Sequence, residues 1–141
     1  MLRAARAAVD GDARVVAVAY ADAARVPSRP LPPSQLVAAA REAGVDGCLL
    51  DTAVKDGRGL LEWLAPEALR AFVAGAHDAG LEVALAGELR AEDLAVVRAT
   101  GADIVGVRSA ACRDGRRAAA IDPERIARLR ELCAAKAPRA A

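Results

Sequence analysis

Asp51 and Lys55 stand four residues apart in the stretch Gly47–Gly59, GCLLDTAVKDGRG. A carboxylate and an amine this close can move a proton to or from a reacting carbon or oxygen, or together hold an anion. The apolar run Cys48-Leu49-Leu50 ends at Asp51, and Asp56-Gly57 closes the turn that carries Lys55. A buried strand that stops at a carboxylate, with an amine just beyond it on a glycine-loosened loop, is how α/β proteins deliver acid–base groups to the carboxyl edge of a parallel sheet. Both side chains also admit a plainer reading. Asp is a favoured cap and turn residue, and Lys55 would then be a solvated loop lysine.

Positioning such a pair requires strands and crossovers, and the chain supplies them in alternation. Val15–Tyr20 is a continuous apolar run of strand length, the pattern of a strand covered on both faces. It ends at Tyr20-Ala21-Asp22, so Asp22 is either a turn residue or a wall of the same site. The strand at Gly47–Asp51 follows, then Leu81–Ala86 leading into Gly87-Glu88, and Asp103–Val107 leading into Arg108-Ser109. Between them the spacing predicts helices over 35–43, opened by Pro33-Ser34 and stopped by Gly44, over 66–79, opened by Pro66 and stopped by Gly80, and over 91–99. Residues 1–10 read as the end of a helix broken at Asp10-Gly11-Asp12, and 60–64 as a short helical turn. The last helix runs from about 122 to about 136, with Asp122-Pro123 as its cap and first position. The proline-rich segment 26–33, VPSRPLPP, reads as a stiff loop. Four β/α units in sequence predict an α/β fold with a parallel sheet.

Composition narrows the function. At 141 residues the chain suits one domain, and with 55% hydrophobic but 2% aromatic residues its core must be built from Ala, Val and Leu. The 20 basic and 19 acidic residues nearly cancel, and without an aromatic platform this argues against nucleic acid. The arginines of 113–117, RDGRR, read as a local patch. Cys48, Cys112 and Cys133 lie far apart with no CxxC spacing, so neither a metal site nor a disulfide framework is expected. With no apolar stretch long enough to cross a bilayer, the expectation is no membrane partner and a place in the reducing cytoplasm. His77, in the last turn of its helix, faces the helical layer rather than the site, and Trp63 reads as a packing anchor.

DTAVKDGRGLLEWL resembles the hallmark of the (5-formylfuran-3-yl)methyl phosphate synthase family, in which a DTA-hydrophobic-KDG run precedes an apolar helix. VVAVAYADAARV at 15–26, LEVALAGEL at 81–89 and DIVGVRSAAC at 103–112 fit the same family in the same order. The resemblance implies a TIM-type (β/α)8 barrel, of which the whole chain, 1–141, is expected to be a single partial domain matching units five to eight. It implies a lyase-type reaction in which two glyceraldehyde 3-phosphate molecules join through a lysine Schiff base to a furan aldehyde phosphate for methanofuran-type one-carbon carriers. No cofactor or metal is implied, and the partner is a small sugar phosphate. Carried over by position, Asp51 and Lys55 are the expected catalytic pair. Asp22, Gly87, Gly106, Arg108 and Ser109 are the expected substrate- and phosphate-binding residues, at the place where such barrels commonly hold phosphate.

The chain departs from that pattern. The imine lysine of the family lies in a D-hydrophobic-K motif on a first-half strand, a second lysine lies on the fourth strand, and neither motif is present here. Lys136 is expected at the surface of the last helix, which leaves Lys55 as the candidate active-site lysine. Glu88 stands where the family has a small neutral residue, and Ser109 where it has glycine. The outer strands of a four-stranded array expose unpaired edges, so self-association is expected, most simply two copies closing an eight-stranded barrel. The alternative is a half-barrel remnant without catalysis that binds phosphate or oligomerises.

Overall fold

The computed structural model describes residues 1–9 and 12–134. Part of the expected break at Asp10-Gly11 and the expected surface position of Lys136 lie outside these residues. Four strands, β1 (Val16–Tyr20), β2 (Gly47–Asp51), β3 (Glu82–Leu85) and β4 (Ile104–Val105), form one sheet in the order β1-β2-β3-β4. All three pairings are parallel. The helices are α1 (Leu2–Ala7), α2 (Pro33–Ala43), α3 (Leu60–Trp63), α4 (Pro66–Asp78), α5 (Leu94–Arg98) and α6 (Pro123–Ala134). The α/β alternation read from the sequence is therefore observed.

The boundaries differ in instructive ways. The helix expected over 91–99 is a 3-10 turn, Ala91–Asp93, that passes into α5, because the Asp93 carboxylate turns back to accept from the Arg90 amide at 2.8 Å. β4 keeps only two residues of the run expected to form it. Prolines open α2 and α4, where a missing N–H costs nothing, and Gly44 ends α2 with φ +65°.

Alternation along each strand divides the sheet into two faces. Ala17, Ala19, Cys48, Leu50, Val83 and Leu85 point to one face, each fully buried, and pack against Leu36 and Ala40 of α2 and Leu69, Val73 and Ala76 of α4. The other face carries Val16, Val18, Leu49, Ala84 and Ile104, and the strand register puts Val18, Leu49, Ala84 and Ile104 in one row across it. Val16, Val18 and Ile104 remain 42%, 44% and 48% exposed. The expectation that β1 is covered on both faces is therefore wrong: among the described residues α2 and α4 pack on the face that carries Ala17 and Ala19, while Val16 and Val18 on the other face stay exposed.

At the amino edge carboxylates tie down the backbone. Asp46 accepts from the Val15 amide at 2.7 Å, and Asp103 from the Val83 amide at 2.8 Å and from His77 at 2.9 Å. His77 is thus an edge partner of Asp103. The carboxyl edge is built differently.

Candidate active site at the carboxyl edge of the sheet

Bonds from Ala21 N to Asp51 O, Ala86 N to Leu50 O and Gly106 N to Leu85 O, each 2.8 Å, carry the ladder one residue past the strands. The loops that follow therefore start at one level. A cavity of about 270 Å³ opens there, lined by Asp51, Lys55, Ala86, Gly87, Glu88, Gly106, Val107, Arg108, Ser109 and Arg117. Six of the seven residues singled out in the sequence, Asp51, Lys55, Gly87, Gly106, Arg108 and Ser109, share this cavity.

Lys55 reaches back over the strand that precedes it. Its ammonium donates to Asp51 Oδ1 at 3.0 Å, to Thr52 Oγ1 at 3.1 Å and to the Thr52 carbonyl. Three hydrogens meet three acceptors, so the amine is held as a fully engaged cation. Asp51 Oδ1 also accepts from the Thr52 amide at 2.7 Å, while among the described residues its Oδ2 has no donor.

Asp22, the seventh, lies outside the cavity lining. It is 1% exposed, and its two oxygens accept from the amides of Ala53 at 2.7 Å and Val54 at 2.9 Å. Burial pushes this carboxyl up, but the amides of Ala53, Val54 and its own residue, with Arg25, outweigh it and hold the group below the usual carboxylate value. Asp22 fastens the loop that carries Lys55.

A second clamp holds the outer part of that loop. Asp56 takes Arg25 at 2.6 Å and Arg58 at 3.1 Å, and these two, Arg58 foremost, hold its carboxyl well below the usual range. Both guanidiniums lie over the Trp63 ring, with Arg58 4.4 Å and Arg25 5.7 Å from its centre. Trp63 packs as an anchor against cations rather than against a ligand cavity.

The β3 turn is stitched to the same loop. Leu60 N donates to Gly87 O at 2.9 Å, Arg90 to Gly57 O at 3.1 Å, and Glu88 Oε2 accepts from Gly57 N at 3.1 Å. The Glu88 carboxylate is thereby engaged with backbone, although the residue borders the cavity. Gly87, at φ +112°, passes so close to Thr52 that a Cβ would lie 3.0 Å from it. A Cβ on Gly106 would lie 2.9 Å from the Ala86 Cβ. These two glycines let the β2, β3 and β4 ends converge.

Sequence reasoning missed Thr52, whose place inside the DTA run was the available signal, and Arg117, which it left in a local arginine patch. Among the described residues no three His, Cys, Asp or Glu side chains gather as a metal set, and no helix is long and apolar enough to cross a membrane.

A parallel β/α array with an ion pair, a cluster of guanidiniums and close-approach glycines at its carboxyl edge is an α/β protein with a polar edge site, the class in which loops carry the chemistry. Comparison with known proteins gives the family. Residues 1–130 match the model described as 4-HFC-P synthase. The chain is 52% identical over 124 residues to the (5-formylfuran-3-yl)methyl phosphate synthase of Methanopyrus kandleri, covering 87% of this chain and 52% of that protein. It is 44% identical over 126 residues to the Methanocaldococcus jannaschii protein of the same name, covering 89% of this chain and 53% of that protein. A Methanobrevibacter smithii protein of that name is 45% identical over 126 residues, with 89% and 52% covered. The chain belongs to the 4-HFC-P synthase family, and it spans about half the length of the curated relatives it matches.

Proposed function

We propose that the chain supplies the acid–base pair and the phosphate grip of a (5-formylfuran-3-yl)methyl phosphate synthase, a lyase that joins two glyceraldehyde 3-phosphate molecules through a lysine Schiff base. The observation that carries this reading is the single cavity shared by Asp51, Lys55, Gly87, Gly106, Arg108 and Ser109 in a chain of that family. In this reading the four β/α units are half of a TIM-type (β/α)8 barrel, and the open sheet face is the barrel's interior wall. Parallel sheets are stable when both faces are covered, and Val16, Val18 and Ile104 are not.

Asp51 Oδ2 accepts a proton as an enol forms next to the carbonyl or imine carbon, and Lys55 steadies the negative charge on oxygen and returns a proton as hydroxide leaves as water. Lys55 is a poor imine former as it stands, since all three of its hydrogens are engaged and attack on a carbonyl needs a free lone pair. The imine lysine then comes from strands that complete the barrel. A second copy is the simplest source of closure, with β4 of each pairing to β1 of the other, but it brings no lysine of that motif. Full turnover therefore needs first-half strands of the family.

The test combines trapping with complementation. The chain is incubated with glyceraldehyde 3-phosphate, alone and with the first half of the Methanopyrus relative; furan product is followed by absorbance in one portion, and borohydride is added to a second portion so that adducts can be mapped by mass spectrometry. The expected result is product only in the mixture, an adduct on the added half, and loss of product in D51N and K55M. Product formed equally well by both variants would remove Asp51 and Lys55 from the chemistry. The second reading, a half-barrel without catalysis that binds phosphate or oligomerises, is favoured by the engaged ammonium. It predicts self-association with no product in any mixture.

A further inference from the structure

Beyond β4 the chain makes a 3-10 turn, Ser109–Ala111, then loops outward and returns. The return is held by an antiparallel bridge between Cys112 and Ile121 and by bonds from Arg113 N to Ala120 O at 3.0 Å and Asp122 N to Ala111 O at 2.9 Å. The buried Cys112 thiol lies 3.2 Å from the Arg108 carbonyl and 4.0 Å from the Arg117 carbonyl. The loop is thus folded so that Arg117 comes back beside Arg108. Its tip uses Asp114 and Gly115 at positive φ, where Arg116 pairs with Asp114 at 3.5 Å in open solvent.

Arg108 and Arg117 both line the 270 Å³ cavity, and among the described residues neither guanidinium has an ion-pair partner. The neighbouring arginines differ: Arg25 and Arg58 are engaged by Asp56, and Arg90 by the Gly57 carbonyl. Of the two carboxylates at the cavity, Asp51 holds Lys55, and Glu88 keeps its charge but turns Oε2 to the Gly57 amide rather than to either guanidinium, so the lining stays positive on balance. Two cations without ion-pair partners at one small cavity repel each other, and an anion between them lowers that cost. The volume is just below the range of about 300 to 1,000 Å³ typical of drug-sized ligand pockets, which suits a small phosphate ester.

We propose that Arg117 is the second arm of the phosphate grip, opposing Arg108 across the phosphate of the triose substrate. The inference rests on the phosphate-site reading above. Each guanidinium can offer two parallel N–H donors to phosphate oxygens, so the pair selects a phosphate monoester dianion over a neutral sugar.

Titration calorimetry of the full chain with inorganic phosphate tests this. R117Q and R108Q should each weaken binding by about tenfold, R117K should recover part of the loss, and R116Q, at the tip of the same loop, should bind as the parent does. Circular dichroism of each variant confirms that the fold is unchanged. Parent-like binding by R117Q, with binding lost in R108Q, would overturn the role of Arg117 and leave the edge phosphate site standing. No phosphate binding by the parent chain, or parent-like binding in both variants, would overturn the site itself.

Discussion

Leu49 and Leu50 are neighbours on β2 and face opposite sides of the sheet. Leu50 is fully buried among the helices, whereas Leu49 is half-buried in a row with Val18, Ala84 and Ile104 that no helix covers. The same residue type in the same strand thus meets an interior on one side and an open surface on the other. The covered face holds the fold together, and the open face ends at Asp51 and Gly106, at the cavity. Core packing and the candidate site are therefore segregated by the two-residue period of the strand. Contiguous exposed apolar patches are a common mark of association sites.

Substitutions on the two faces should separate accordingly. Leu50→Ala should cost about 3 kcal/mol in urea unfolding, while Leu49→Ala should cost less than about 1 kcal/mol in the dissociated chain. Equal costs would mean that the faces are not different in solution. Asp22→Asn comes next, at about 2 kcal/mol near neutral pH, because one of the two part-buried amides that the carboxylate binds loses its acceptor. The folded-state pKa of Asp22 is depressed, so its contribution is present above the unfolded carboxylate value of about 3.9 and is lost as the pH falls through the folded value. The gap between parent and Asp22→Asn, measured by unfolding at successive pH values from 7 down to 3, should therefore narrow. A gap that holds constant would show that folding leaves the Asp22 carboxyl unshifted.

Val18→Asp tests the open face directly. Its effect on the stability of the dissociated chain should stay within about 0.5 kcal/mol, while sedimentation velocity should show weaker self-association than in the parent. A drop in stability as large as that of Leu50→Ala would place Val18 in a covered core and end the comparison. The smallest effect concerns thiols. Cys48 lies on the covered face with its thiol pushed up to about 11 by burial, and Cys133 is exposed on α6. Iodoacetamide at pH 8 should modify Cys133 in the native chain and reach Cys48 only in denaturant, as read by intact mass. Rapid native labelling of Cys48 would show that the covered face opens readily.

Much of the fold and of the edge site is legible in the order of the amino acids. Four apolar runs of strand length, prolines at helix starts and Gly44 at a helix end mark local choices, which backbone sterics and burial dictate residue by residue. The spacing of Asp51 and Lys55 marks the candidate site because Asp51 ends β2 and Lys55 lies in the loop that follows it directly. Val15–Tyr20 misleads for a physical reason: a continuous apolar run satisfies a strand buried on both faces, and equally one whose second face waits for a partner. Asp22 misleads because a carboxylate at a strand end looks the same whether it meets substrate or backbone amides.

By itself, then, the sequence determined the alternating α/β order, the ends of β1 and β2 at Tyr20 and Asp51 and the family to which the chain belongs, since these follow from local propensity and from motifs contiguous in the chain. Only the tertiary structure decided which sheet face stays open, that Glu88 turns to the Gly57 amide, and that Arg117 returns beside Arg108. Those outcomes depend on how separate loops pack against one another, and hydrogen bonds between distant residues leave no pattern in the chain that makes them.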